Sequence, residues 1–189
     1  AAIAPDHPEI AAAEERGLRV RSYAEVLGMV QADRTSICIA GTHGKSTTGA
    51  MLCHVLMECG LDPGFIIGAN CGQIGPSRPG AALIPGPGPM EGEPGLVVCE
   101  ACEFDRSFHH HRPTIALINN LEEDHLDIYG SIEAIVDAFR EFAQLLPPAE
   151  EGGSLLIAHD GAHRHQITPP LHCRVATFGY HPEADYQVV

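Results

Sequence analysis

Ile37-Cys38-Ile39-Ala40-Gly41-Thr42-His43-Gly44-Lys45-Ser46-Thr47-Thr48 is the stretch whose reading decides the fold class. Its first four residues form a continuous apolar run, Gly41 to Lys45 is a glycine turn, and Ser46 to Cys59 has helical spacing that ends at Gly60. On that predicted helix Met51, Leu52, Val55, Leu56 and Cys59 share one face. Strand, glycine turn and helix open an α/β unit.

Downstream, Leu96 to Cys99 and Ile115 to Ile118 are short apolar runs suited to strands buried on both faces. Ser131 can cap a helix in which Ile132, Ile135, Val136, Phe139, Phe142 and Leu146 recur at helical spacing until Pro147-Pro148 stops it. Leu155 to Ala158 and Val175 to Phe178 are two further strands. The alternation predicts an α/β fold, a mostly parallel sheet with helices on both faces. Residues 70–95 carry most of the Pro/Gly density and read as a long surface loop. Upstream, residues 1–33 read as a small strand, helix, strand, helix appendage. In it Ser22, three residues before Glu25, makes a capping box. The chain begins with Ala1 and ends at Val189 inside what reads as a strand, as a fragment would.

The glycine turn carries chemistry. Backbone amides at a helix N-terminus converge on one cavity, and the helix dipole adds partial positive charge, so an anionic phosphate exchanges its hydration shell at little cost. In a loop of this kind Lys45 is expected to supply a point charge to the β/γ-phosphates, and the Ser46 hydroxyl can ligate Mg²⁺. The common phosphate-loop pattern has a glycine five residues before Gly44, where this chain has Ile39, so the loop is short and Gly41 is its first glycine.

Mg²⁺ needs further hard oxygen donors. Glu100 directly follows the apolar run ending at Cys99, and in an open α/β sheet the ligand crevice lies at the carboxyl ends of strands. Glu103 and Asp105 read as a solvated acidic turn. A second polar cluster, Asn119-Asn120-Leu121-Glu122-Glu123-Asp124-His125-Leu126-Asp127, begins where another strand ends, and within it His125 is a candidate metal ligand oriented by an adjacent carboxylate.

Composition bounds the partners. With 11 Lys+Arg against 25 Asp+Glu the formal charge is −14 at pH 7, which repels nucleic acid, and no apolar run reaches the roughly 18–20 residues that span a bilayer. A cytoplasmic protein acting on small molecules is expected. The seven cysteines read as buried free thiols, with Cys99 and Cys102 beside His109-His110-His111 as a less favoured metal site, and the histidine triplet itself reads as a solvated loop.

Taken together, Gly41 to Thr48, then Glu100-Ala101-Cys102-Glu103-Phe104-Asp105-Arg106-Ser107-Phe108, then Asn120 to Asp127 resemble, in order, the signatures of the Mur ligases. His43 resembles the members that act first. Cys102 and Phe104 depart from the Asp and Ser of many members. The resemblance implies a P-loop NTPase-like central ATP-binding domain over residues 34–189, truncated, with residues 1–33 as the tail of an N-terminal UDP-binding domain. It implies an ATP-dependent ligase of peptidoglycan precursor synthesis that joins UDP-N-acetylmuramate to L-alanine through an acyl phosphate, with ATP and Mg²⁺ as cofactors. Carried over by motif, Gly41, Thr42, His43, Gly44, Lys45, Ser46 and Thr47 bind the nucleotide and Lys45 stabilises the transferring phosphoryl. Ser46 and Glu100 hold one Mg²⁺ and His125 a second. The alternatives are a ligase that recycles a tripeptide onto UDP-N-acetylmuramate, and a nucleotide-binding module or phosphate-loop hydrolase without ligase activity. A piece of this length, tested alone, is expected to bind nucleotide weakly at best.

Overall fold

The structure, a computed structural model, describes residues 4, 6–77 and 95–189. Its centre is a seven-stranded parallel sheet: β1 (Thr35–Ala40), β2 (Gly64–Ile66), β3 (Leu96–Glu100), β4 (Ile115–Ile118), β5 (Ser154–Ala158), β6 (Arg174–Gly179) and β7 (Tyr186–Gln187), in the order β2-β3-β1-β4-β5-β6-β7. The helices are α1 (Pro8–Glu15), α2 (Tyr23–Gln31), α3 (Lys45–Glu58), α4 (Leu126–Tyr129), α5 (Ile132–Ala143) and α6 (Arg164–Ile167).

Side-chain alternation explains the two-sided core. Cys38 and Ala40 of β1 join Val97, Cys99, Ala116, Ile118, Leu155 and Ile157 on one face, where Ile135, Phe139 and Phe142 of α5 cover them. Ile39 joins Val98 and Phe65 on the other face, under Cys53 of α3. A sheet sandwiched this way has no polar face, which is why its strands read as uninterrupted apolar runs. The 3-10 segment Phe104–His110 follows β3 and buries Phe108, whose ring stacks on Phe142 at 4.8 Å and meets the edge of Phe139 at 5.3 Å.

Caps behave as the residue types dictate. The capping box of Ser22 and Glu25 forms at the start of α2, and the Ser131 hydroxyl accepts from the Ala134 amide at the start of α5. Several expectations are corrected. Leu18 to Val20 forms no strand, and Leu18 and Val20 are exposed. On α3, Met51 (65%) and Val55 (55%) are exposed, because the face turned to the sheet is centred on Gly49 and Cys53. Gly49 sits there because Ile67 and Ile39 press close: a Cβ would meet Ile67 at 3.3 Å. Among the cysteines, Cys59 and Cys102 are exposed. The histidine triplet is not a solvated loop: His110 is exposed, but His111 is buried and His109 Nε2 donates to the Ala138 carbonyl oxygen of α5 at 2.9 Å. Of the expected loop over 70–95, residues 78–94 lie outside the described residues, and Cys71 and Gly75 close a turn with an isolated bridge.

Candidate functional site: a phosphate loop at the centre of the sheet

Neighbouring strands β1 and β4 send their chains to opposite faces, β1 into α3 and β4 toward α5, which opens a crevice at their carboxyl ends. Both polar clusters picked out in the sequence meet there. The glycine turn is pinned to the loop after β4 by a continuous set of bonds. The Thr42 amide donates to the Asn120 carbonyl (3.2 Å) and the His43 amide to Asn120 Oδ1 (2.8 Å). In return the Glu122 amide donates to Thr42 Oγ1 (3.0 Å), Asn119 Nδ2 to Thr48 Oγ1 (3.1 Å), and Asn120 Nδ2 to the His43 carbonyl (3.2 Å).

Two glycines make this approach possible. Gly41 has φ +133°, and a Cβ on it would lie 3.1 Å from Asn119 Cβ and 3.2 Å from the amides of Asn119 and Asn120. Gly44 has φ +81° and starts α3 with no side-chain cap, so the first-turn amides of Lys45, Ser46 and Thr47 are not claimed by a capping side chain. A helix start built this way is suited to an anion.

Lys45 lies beside that turn. Its Nζ donates to the carbonyls of Gly41 (2.6 Å) and Thr42 (3.2 Å) and to both carboxylate oxygens of Glu103 (2.8 and 3.1 Å). Glu103 is only 3% exposed, so the expectation of a solvated turn is wrong for it. The chain kinks after it through left-handed Asp105 and Arg106, and Tyr129 Oη donates to its carbonyl oxygen, which turns the Glu103 side chain inward. The solvated reading holds for Asp105, which is exposed.

His125 is also left-handed (φ +53°, ψ +36°) and starts α4. A non-glycine residue held in this region stores strain, and such residues concentrate at functional sites. Its amide donates to Asp124 Oδ1 (2.8 Å), and its ring meets the edge of Phe104 at 5.2 Å. Ligand atoms of Glu103, Asp124 and His125 lie within 4.8 Å of one another. Glu100, at the end of β3, does not belong to this group; its Oε1 accepts from the Gly68 amide at 2.9 Å.

The structure thus brings the glycine turn and His125, both picked out in the sequence, to one crevice, whereas by sequence Glu103 reads as a solvated acid and Asn119 and Asn120 have no separate role. Asn119 and Asn120 carried a usable signal, two amides directly at a strand end. Beside the loop, Ser46, Thr47, Ala50, Met51 and His54 of α3 and residues 69–73 line a cleft of about 580 Å³, which gives the exposed Met51 its setting.

Sheet order, glycine turn, helix start and adjacent lysine define a parallel α/β domain with a candidate phosphate loop at the switch in strand order. Residues 39–188 match the Mur ligase middle domain, and the chain belongs to that family. It is 39% identical over 191 residues to UDP-N-acetylmuramate--L-alanine ligase of Paenarthrobacter aurescens, an alignment covering 99% of this chain and 39% of that one. The chain thus spans about two fifths of that relative's length. Among solved structures it resembles UDP-N-acetylmuramate:L-alanyl-gamma-D-glutamyl-meso-diaminopimelate ligase from Neisseria meningitides (TM-score 0.75, 29% identity, 93% of this chain and 56% of that one). It shares the fold of UDP-N-acetylmuramate-alanine ligase from Thermotoga maritima (TM-score 0.67, 23% identity, 94% and 37%). Among the described residues no helix is long and apolar enough to cross a membrane.

Proposed function

We propose that this chain is the nucleotide core of an ATP-dependent ligase that joins the carboxylate of UDP-N-acetylmuramate to the amino group of L-alanine. The observation that carries the proposal is the junction of the uncapped α3 start, Lys45 and the Glu103, Asp124, His125 group at one crevice. Residues 34–189 form the central domain in this reading, and residues 1–33 the tail of a UDP-binding domain.

The amides of Gly44 to Thr47 receive the nucleotide phosphates, with Gly41, Thr42 and His43 shaping the turn. Lys45 holds the transferring phosphoryl as it passes to the acceptor carboxylate. L-Alanine then attacks the acyl phosphate and expels phosphate, a reaction that depends mainly on positioning and charge neutralisation. The donors fit Mg²⁺ at two places: the Ser46 hydroxyl and the Glu100 carboxylate would hold one ion, and His125 with the Asp124 carboxylate a second. Mg²⁺ held by these residues would supply positive charge to phosphate oxygens. Glu103 keeps Lys45 in register meanwhile, and Asp124 with Phe104 orients the His125 ring.

The test uses the protein at its full native length, supplied with ATP, Mg²⁺ and UDP-N-acetylmuramate. Phosphate release that requires L-alanine supports the reading. Release requiring a tripeptide instead assigns the recycling reaction, and ATP hydrolysis at the same rate without any acceptor sinks the ligase reading altogether.

A further inference from the structure

A second group of ligating side chains lies away from the phosphate loop, where β5 and β6 end. His159 directly follows β5, while His181 and Glu183 lie in the turn after β6. One ligand atom from each falls within 4.8 Å of the others. The geometry points to a site for a divalent transition ion of the zinc type, held by two imidazoles and a carboxylate, that clips the 180–185 turn to the end of β5.

The frame around these residues is built rather than incidental. The His159 amide donates to the Phe178 carbonyl (2.7 Å), and its own carbonyl accepts from Arg164 Nε (3.1 Å). Asp160 Oδ2 accepts from the Tyr180 amide at 3.0 Å, an approach that Gly179 permits because a Cβ there would lie 2.2 Å from that oxygen. Asp185 Oδ2 accepts from the Thr177 amide and hydroxyl, both at 2.8 Å, and so anchors the far end of the turn. Within this frame His159 Nδ1 is buried without a hydrogen-bond partner. A buried imidazole nitrogen left this way is unfavourable, and an ion would satisfy it.

The adjustment needed is small and falls on exposed side chains. The His159 and His181 rings lie face to face, with centroids 4.6 Å apart and planes 6° apart, so one ring must rotate for both to reach one ion. His181 and Glu183 are exposed, whereas His159 is half-buried. Whichever nitrogen of His181 takes the ion, the 3.2 Å bond from the Glu183 amide to His181 Nδ1 is given up. Its lone pair goes to the ion or, if Nε2 ligates, Nδ1 carries the proton. Two imidazoles and one carboxylate, with water completing the tetrahedron, suit zinc better than magnesium, whose preference is for oxygen.

The experiment titrates tag-free protein with ZnCl₂ alone by calorimetry, without nucleotide, and records the visible absorption of the Co²⁺ form. It is run on the unaltered chain and on His125→Ala, which removes the group at the phosphate loop. The expected result is that His181→Ala lowers the Zn²⁺ stoichiometry by one in both backgrounds, or weakens that site at least roughly ten-fold. The same change removes the tetrahedral Co²⁺ bands and the Zn²⁺-dependent rise in melting temperature, and Glu183→Gln weakens binding in the same direction. No saturable binding by His125→Ala, or a stoichiometry and affinity untouched by His181→Ala, overturns the proposal. Because no arm contains nucleotide, its failure is separate from any failure of the ligase reading.

Discussion

Lys45 and Glu103 form a charge pair whose side chains are 15% and 4% exposed, so each depends on the other for its place in the loop. Removing one partner of a buried pair leaves an uncompensated charge, and Glu103→Ala is expected to lower stability by about 3 kcal/mol, read as a shifted urea midpoint. Lys45→Ala acts differently. It removes the cation nearest the uncapped helix start, and loss of a charge-assisted bond of ~2–3 kcal/mol weakens binding of a non-hydrolysable ATP analogue roughly 30- to 150-fold. Calorimetry with Mg²⁺ present measures this, and an unchanged dissociation constant would remove Lys45 from the site. Gly41→Ala tests the turn itself: a side chain at φ +133° facing the Asn119 backbone at 3.2 Å costs about 1–3 kcal/mol and displaces the Thr42 and His43 amides.

Between elements, α2 is tied to the sheet by a buried polar bridge. Gln31 (1% exposed) and His111 (4%) share a 2.7 Å hydrogen bond between Nε2 and Nδ1, with Cys38 Sγ 3.5 Å from that His111 nitrogen. Gln31 Oε1 accepts from the Arg112 amide at 2.6 Å. Burial, and secondarily the charge of His110, pushes the His111 pKa down to about 4 from 6.5. The folded protein therefore keeps this imidazole neutral over a range where the unfolded chain takes up a proton. Stability from this group is complete above pH 6.5 and falls as the pH drops toward 4, by about 3 kcal/mol in all. Urea midpoints across that range should fall more steeply in the parent chain than in His111→Gln; parallel curves would refute the assignment. On α5, Phe139→Ala opens a hole against Phe108 and is expected to cost about 3–5 kcal/mol.

At the scale of the molecule, the sheet order brings the ends of β1, β3 and β4 together and gathers acids at one crevice in a chain of net charge −14. Glu100, Glu122, Asp124 and the already paired Glu103 leave Lys45 little net positive charge to offer a triphosphate. Affinity is therefore predicted to depend on divalent cation: stripping Mg²⁺ with EDTA should weaken the ATP analogue at least roughly ten-fold, and moderate salt should speed its association by screening the long-range repulsion. Tight binding in EDTA would show that the acids do not face the phosphates.

The parallel α/β sheet was legible in the residues because strands buried on both faces cannot alternate and so appear as apolar blocks, and because a glycine turn between such a block and a helix has few other uses. Lys45, Ser46 and His125 were legible for the same local reason, each lying beside a strand end. What the chain order could not convey was pairing across the crevice. Glu103 looks like one of several solvated acids until Lys45, 58 residues earlier, is brought within 2.8 Å. His111 looks like part of a polar triplet until Gln31 and Cys38 close around it. Met51 and Val55 fit an apolar stripe by spacing, but the close approach of Ile67 to Gly49 decides which side of α3 meets the sheet. Local sequence pattern determined the central strands, α3, α5 and the glycine turn between β1 and α3; the edge strands, burial and partner choice depend on residues far apart in sequence, and only the tertiary structure decided them.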